Sequence, residues 1–329
     1  MTRNRATLTR RAMLAGLATL PALPALAQSD WPRRPMRIIV PQPPGGNLDI
    51  LVRAIAEGLR AELGQPVVVE NRPGGNSVIG LEACAQAAPD GTTFCAVNIE
   101  VMTTMPHAEP ELFARFASLL PITQMASAPS VLVSSPAVPP GTLKDAVAWA
   151  RGRRDVNYGS SGVGSAQQLL YEWLKAKEGI QMEHVPFRGI GDAIRETVAD
   201  RVQFSYSALA LAMPQIRAGR LRPLAMLGGT RHPELPDTPS MRELGYDYPY
   251  GGAWWGLSAP ANLPPAIQDG MARAVRTVVT NEDFRARVLA PNFFNGIGNT
   301  PAEFAEIITR ERAAGAELVR LSGIGPERR

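Results

Sequence analysis

The sequence predicts an α/β fold built in two blocks, and three observations carry that prediction. Short apolar runs alternate along the chain with stretches of helical apolar spacing, the pattern of strands buried between helices. Two glycine-rich turns, Pro43-Pro44-Gly45-Gly46 and Ser160-Ser161-Gly162-Val163-Gly164-Ser165, each lie between a strand pattern and a helix pattern. Between the two turns, Pro136, Pro139 and Pro140 break the pattern in what reads as the crossing from one block into the next.

Residues 1–27 read as an export signal and not as part of the fold. Arg10 and Arg11 precede an apolar run from Ala12 to Leu26, a twin-arginine-like arrangement, and Ala25-Leu26-Ala27 is an A-x-A site that places cleavage after Ala27. Pro21 and Pro24 interrupt the run, which is also too short to span a bilayer. The 329-residue chain has 34 basic and 30 acidic side chains; Arg3, Arg5, Arg10 and Arg11 lie in the signal, so the mature chain is balanced at 30 against 30. The basic character of the precursor therefore gives no reason to expect nucleic-acid binding.

Met36 to Val40 is a short apolar strand that Pro43, Pro44, Gly45 and Gly46 end abruptly. Asn47 or Asp49 is placed to cap the helix that follows, whose apolar positions are Val52, Ile55, Leu59 and Leu63. Gly64 and Pro66 stop it before the strand Val67 to Val69. Glycines allow close backbone approach, and a helix start offers free N–H groups, so this turn is either a seat for an anion or a plain strand-to-helix turn. A helix from Gly80 to Ala88, a Pro89-Asp90-Gly91 turn and a strand from Thr92 to Val97 come next. Asn98 to Met102 is placed as a further site loop, with Glu100 expected to point away from an anionic ligand. Cys84 and Cys95, the two cysteines, are expected as separate buried thiols.

Residues 103–127 read as irregular because of Pro106, Pro110 and Pro121. Ser130 to Ser135 is a strand, and Thr142 with Asp145 forms a capping box for the helix through Ala150. Asn157 opens a strand into the second glycine turn, and Ser165 with Gln168 forms an S-x-x-Q box at the next helix start. Glu183 to Phe187 is a strand leading to Arg188-Gly189, with Asp192 capping Ala193 to Ala199. Val202 to Ala208 and Leu221 to Leu227 are strands around a short helix from Met213 to Ala218. Trp254 to Leu257 is the last strand; helices from Pro265 to Thr280 and from the Thr300–Glu303 capping box to Leu321 close the chain.

Catalytic patterns are missing from the sequence. Ser160 and Ser161 lack G-x-S-x-G spacing, and Gly75 and Gly80 have P-loop spacing with Leu81 where lysine is needed. His107, His184 and His232 stand far apart and read as structural. No metal or cofactor motif is present, so solute capture is expected and turnover is not.

Val40 to Asp49, Leu63 to Gly74 and Ala88 to Gly91 resemble the hallmark segments of the periplasmic solute-binding proteins of the tripartite tricarboxylate transporter family, the Bug or TctC-type proteins. Asn157 to Ser165 and Leu235 to Pro239 are similar to further segments of that family, so the likeness covers essentially the whole mature chain. It implies a type II periplasmic binding protein fold: two α/β domains, residues 28–127 with 253–329 and residues 128–252, around a ligand cleft. It also implies capture of a small organic acid by a monomer and delivery to membrane transporter subunits, or, as the alternative, to a signalling receptor.

The site implied by the resemblance takes Gln42, Pro44, Gly45, Gly46, Asn47 and Asp49 from the first turn, and Asn98 from the loop after the third strand. From the second block it takes Ser160, Ser161, Gly164, Ser165, Arg188, Gly189 and Ser207. Arg188 suits a bidentate carboxylate contact. Gln42 stands where the family usually has phenylalanine, implying more polar contact. Ser207 stands where an aspartate is common, which disfavours an amino acid needing a counter-ion for its ammonium group. Trp254 and Trp255 are placed either at the cleft or in the core.

Overall fold

A computed structural model describes residues 31–324, so the expected signal and its cleavage site lie outside the described residues. The strands sort into two sheets. The first holds β1 (Met36–Val40), β2 (Val67–Asn71), β3 (Thr93–Asn98), β4 (Leu120–Ala128), β10 (Ala253–Ala259) and the two-residue β11 (Asn295–Gly296), in the order β11-β4-β10-β3-β1-β2. The second holds β5 (Ser130–Ser134), β6 (Asn157–Ser160), β7 (Glu183–Pro186), β8 (Phe204–Ala208) and β9 (Arg222–Met226), in the order β7-β6-β8-β5-β9. Strands β1, β2 and β3 run parallel, as do β6, β7 and β8, while β4, β5 and β10 pair antiparallel with their neighbours. Both sheets belong to one compact unit that starts at Pro32.

Helices α1 (Asn47–Leu63), α2 (Val78–Ala85), α10 (Pro265–Thr280) and α12 (Pro301–Ser322) accompany the first sheet. The short turns α3 (Ile99–Thr103), α4 (Met105–Ala108) and α5 (Pro110–Ala114) follow β3, and α11 (Glu282–Phe284) follows α10. With the second sheet come α6 (Leu143–Ala150), α7 (Ala166–Glu178), α8 (Ile190–Val198) and α9 (Leu209–Arg217). Apolar spacing explains the packing of α1: Leu48, Leu51, Val52, Ile55 and Leu59 are buried along one face. Gly64 ends α1 at φ 64°, where its N–H reaches Arg60 O. The Thr142–Asp145 and Thr300–Glu303 capping boxes both form. Cys84 and Cys95 are free, buried thiols, and burial raises the Cys95 pKa.

Several sequence expectations are corrected. Residues 99–114 are three short helices, and 120–128 is a strand where an irregular stretch was expected. Pro121 is tolerated in β4 because its partner β11 reaches only Ser127 and Ala126, leaving Pro121 on an open edge, and because β4 is bulged at Pro121 against β10. The α1 cap is Gly46, not Asn47 or Asp49. At α8 the cap is Gly189, and Asp192 pairs with Arg195 instead. The Ser165–Gln168 box is half formed. Gln168 N donates to Ser165 Oγ at 3.4 Å, but Gln168 Oε1 accepts from Gly164 N at 2.8 Å.

Candidate functional site

The chain passes between the sheets at Pro129 and again between β9 and β10. A cavity of about 690 Å³ is lined by loops that follow strands of both sheets. That volume is ample for a small organic molecule.

The first wall is the turn after β1. Gln42, Pro44, Gly46 and Asn47 line the cavity, whereas Gly45 and Asp49 do not. Gly45 takes φ +86°, which a β-branched residue resists, and Gly46 is extended at φ −80°. Asp49 is buried behind the turn and holds it there: Gly45 N donates to its carboxylate at 2.9 Å, Asn71 Nδ2 at 2.8 Å and Arg53 Nε at 3.1 Å. Asn71 Nδ2 also donates to Gln42 O at 3.1 Å, tying β2 to the turn. Burial alone would raise the Asp49 pKa; the hydrogen bonds from Arg53, Gly45 and Asn71 outweigh it and hold the carboxyl below its ordinary range.

A second wall went unassigned in the sequence reading. Pro73, Gly74, Asn76 and Ser77 line the cavity, and Asn76 and Ser77 both have positive φ, 51° and 75°. Nothing in the local sequence of this run says that β2, beside β1, delivers it to the same opening. Asn98 also lines the cavity; its Oδ1 accepts from Val101 N at 3.1 Å and caps α3. Glu100 was expected to face away, and the structure corrects this: it lines the cavity. Its Oε1 accepts from Ala166 N at 3.1 Å and its Oε2 from Asn98 Nδ2 at 3.3 Å. Burial raises the Glu100 pKa, and those two contacts offset the rise only in part.

From the second sheet come Ser161, Arg188, Gly189 and Ser207, all predicted, together with Phe187, Tyr206 and Gln167, which were not. Ser161 Oγ donates to Gln167 Oε1 at 2.9 Å. Arg188 is exposed and has no hydrogen-bond or ion-pair partner among the described residues, so its guanidinium is open to a ligand. Gly189 has open space at its Cβ position. Ser160, Gly164 and Ser165 do not line this cavity. Ser160 is fully buried, with its Oγ 2.6 Å from His184 Nε2. Gly164 and Ser165 face a smaller adjoining hollow of about 30 Å³. The free N–H groups expected at the start of α7 are partly taken by the chain itself: Gly164 N by Gln168, Ala166 N by Glu100 and Gln168 N by Ser165.

Trp254 and Trp255 line the cavity and are also packed, so both sequence alternatives hold. Trp254 stands edge-on to Phe304 and donates to Glu311 Oε2 at 2.6 Å; Trp255 stands edge-on to Phe294. Among the described residues no group of His, Cys, Asp and Glu could hold a metal ion, and no helix is long and apolar enough to cross a membrane.

Two α/β lobes with a cleft between their sheets define the type II periplasmic binding protein class. The sequence profile described as "Tripartite tricarboxylate transporter family receptor" matches residues 51–321, and the chain belongs to that family. It is 30% identical over 320 residues to Protein BugT of Bordetella pertussis, covering 93% of this chain and 95% of that one. Among solved structures it is similar to the periplasmic binding protein BugD, at 25% identity and TM-score 0.78 over 90% of this chain and 99% of the other. It is also similar to an R. palustris protein with adipate, at 27% identity and TM-score 0.82 over 90% of this chain and 99% of that one. MatC from Rhodopseudomonas palustris with bound malate has 26% identity and TM-score 0.78, over 88% of this chain and all (100%) of that one.

Proposed function

We propose that this protein is an extracytoplasmic receptor that captures a small organic acid in the cleft and releases it unchanged to membrane subunits of a tripartite transporter. The observation that carries the reading is Arg188, which lines the same cavity as Gly46 and Asn47 and has no hydrogen-bond or ion-pair partner among the described residues. An arginine left open in this way matches a carboxylate in charge and in fork geometry. Relatives with adipate and with malate support the ligand class. The two lobes, residues 28–127 with 253–329 and residues 128–252, close over the ligand as a monomer. The strands support this division, because β4 ends at Ala128 and β5 starts at Ser130 in the other sheet. The Ser160–His184 pair supports capture without turnover, since Ser160 is buried off the cavity. Export with cleavage after Ala27 follows from the sequence of the first 27 residues.

Calorimetry with malate, adipate and aromatic carboxylates tests the reading. The parent should bind at least one acid with a single site, and Arg188→Ala should weaken it by about tenfold, the loss expected of one charge-assisted hydrogen bond. Equal affinity in parent and variant would remove Arg188 from the site.

A further inference from the structure

Three charged side chains line the cavity among the described residues: Arg188, Glu100 and Glu109. Among the described residues Arg188 and Glu100 do not pair with each other, and the partners of Glu100 are Ala166 N and Asn98 Nδ2, not a basic side chain. Each Glu100 oxygen accepts one hydrogen bond, from Ala166 N or Asn98 Nδ2, and each has a second lone pair. The fully buried Ser130 hydroxyl lines the same cavity with no hydrogen-bond partner. The cavity thus holds one open cation and two acidic residues, of which Glu100 has spare acceptor capacity. A second carboxylate brought against Glu100 would meet like charge away from water, whereas an N–H donor would complete a charge-assisted hydrogen bond.

Resting on the carboxylate reading above, we propose that Glu100 determines specificity within this site. It selects a monocarboxylate whose other end carries a hydrogen-bond donor, such as an amide, over the corresponding dicarboxylate. Glu100 also takes Ala166 N at the start of α7, so the helix end that would otherwise receive a ligand anion is already partly occupied from within the chain.

The test uses pairs of probes that differ only in one carboxylate or amide group: succinate and succinamate, adipate and adipamate, terephthalate and terephthalamate. Each is titrated calorimetrically at pH 7.5 into the parent and into Glu100→Gln, which keeps an oxygen for Ala166 N. For any pair that binds, the parent should prefer the monoamide by about tenfold or more, and Glu100→Gln should lower that preference by about tenfold. A parent that binds the diacid as tightly as its monoamide overturns the assignment of Glu100 while leaving the carboxylate reading intact. An unchanged preference in Glu100→Gln overturns it equally. Binding of no probe by either protein overturns the carboxylate reading, and this inference with it. The parent's own discrimination is decisive even if the variant folds poorly.

Discussion

The backbone N–H of Gly45 donates to the buried carboxylate of Asp49 at 2.9 Å, so the turn that faces the cavity is held from behind by its own helix. The same carboxylate collects Asn71 from β2 and Arg53 from the next helical turn. Asp49 therefore positions the wall of the cavity without lining it. Asp49→Ala should destabilise the protein by about 2 kcal/mol, as expected for a carboxylate with several hydrogen bonds, and should weaken acid binding through the loosened turn. Because the folded-state pKa of Asp49 is lowered, its contribution is present above the unfolded pKa and is lost as pH falls through the folded value. The gap in melting temperature between parent and Asp49→Asn should accordingly shrink between pH 7 and pH 3, and a constant gap would refute the role.

Gly45 and Gly46 should respond differently to valine. Gly45 sits at φ +86°, so Gly45→Val should cost about 1–2 kcal/mol of stability through backbone strain. Gly46 is extended, and a Cβ placed there meets no protein atom within 4 Å. Gly46→Val should melt like the parent yet bind at least about tenfold more weakly, because the side chain takes up ligand space. Thermal melts beside calorimetry separate strain from obstruction, and parent-like binding by Gly46→Val would show that this turn is no ligand seat.

Glu100 predicts the opposite pH behaviour. Burial raises its folded-state pKa, so the stability it contributes is present below the unfolded value and is lost as pH rises through the folded one. Glu100→Gln has no charge to desolvate. It should gain in melting temperature relative to the parent as pH rises from 4 to 8, and a gap that stays level would show that the carboxyl is not desolvated.

Most strands, both glycine turns and the longer helices were legible because each is signalled locally, by apolar spacing, by glycine and proline, or by a capping box. Strand β4 was not, because Pro121 reads as a breaker unless the open edge beside it is known. Seven of the site residues named at the two turns and β-strand ends, among them Gln42, Gly46, Ser161 and Arg188, line the cavity in addition to Pro44 and Ser207. Glu100 was misplaced by a charge argument that took the cavity for uniformly anion-seeking, when its carboxyl is accommodated by the start of α7. Residues 73–77 and Tyr206 were missed because their place depends on the order of strands in the sheets, which no local pattern records.

If the cleft captures an organic acid unchanged, that acid should be recoverable from it. Native mass spectrometry of the protein purified from the periplasm tests it directly, with the bound species identified after denaturation. One small organic acid per chain is expected, chemically unaltered, carried by the parent and lost from Gly46→Val. Equal retention by Gly46→Val, or a bound species with no carboxylate, would contradict the account.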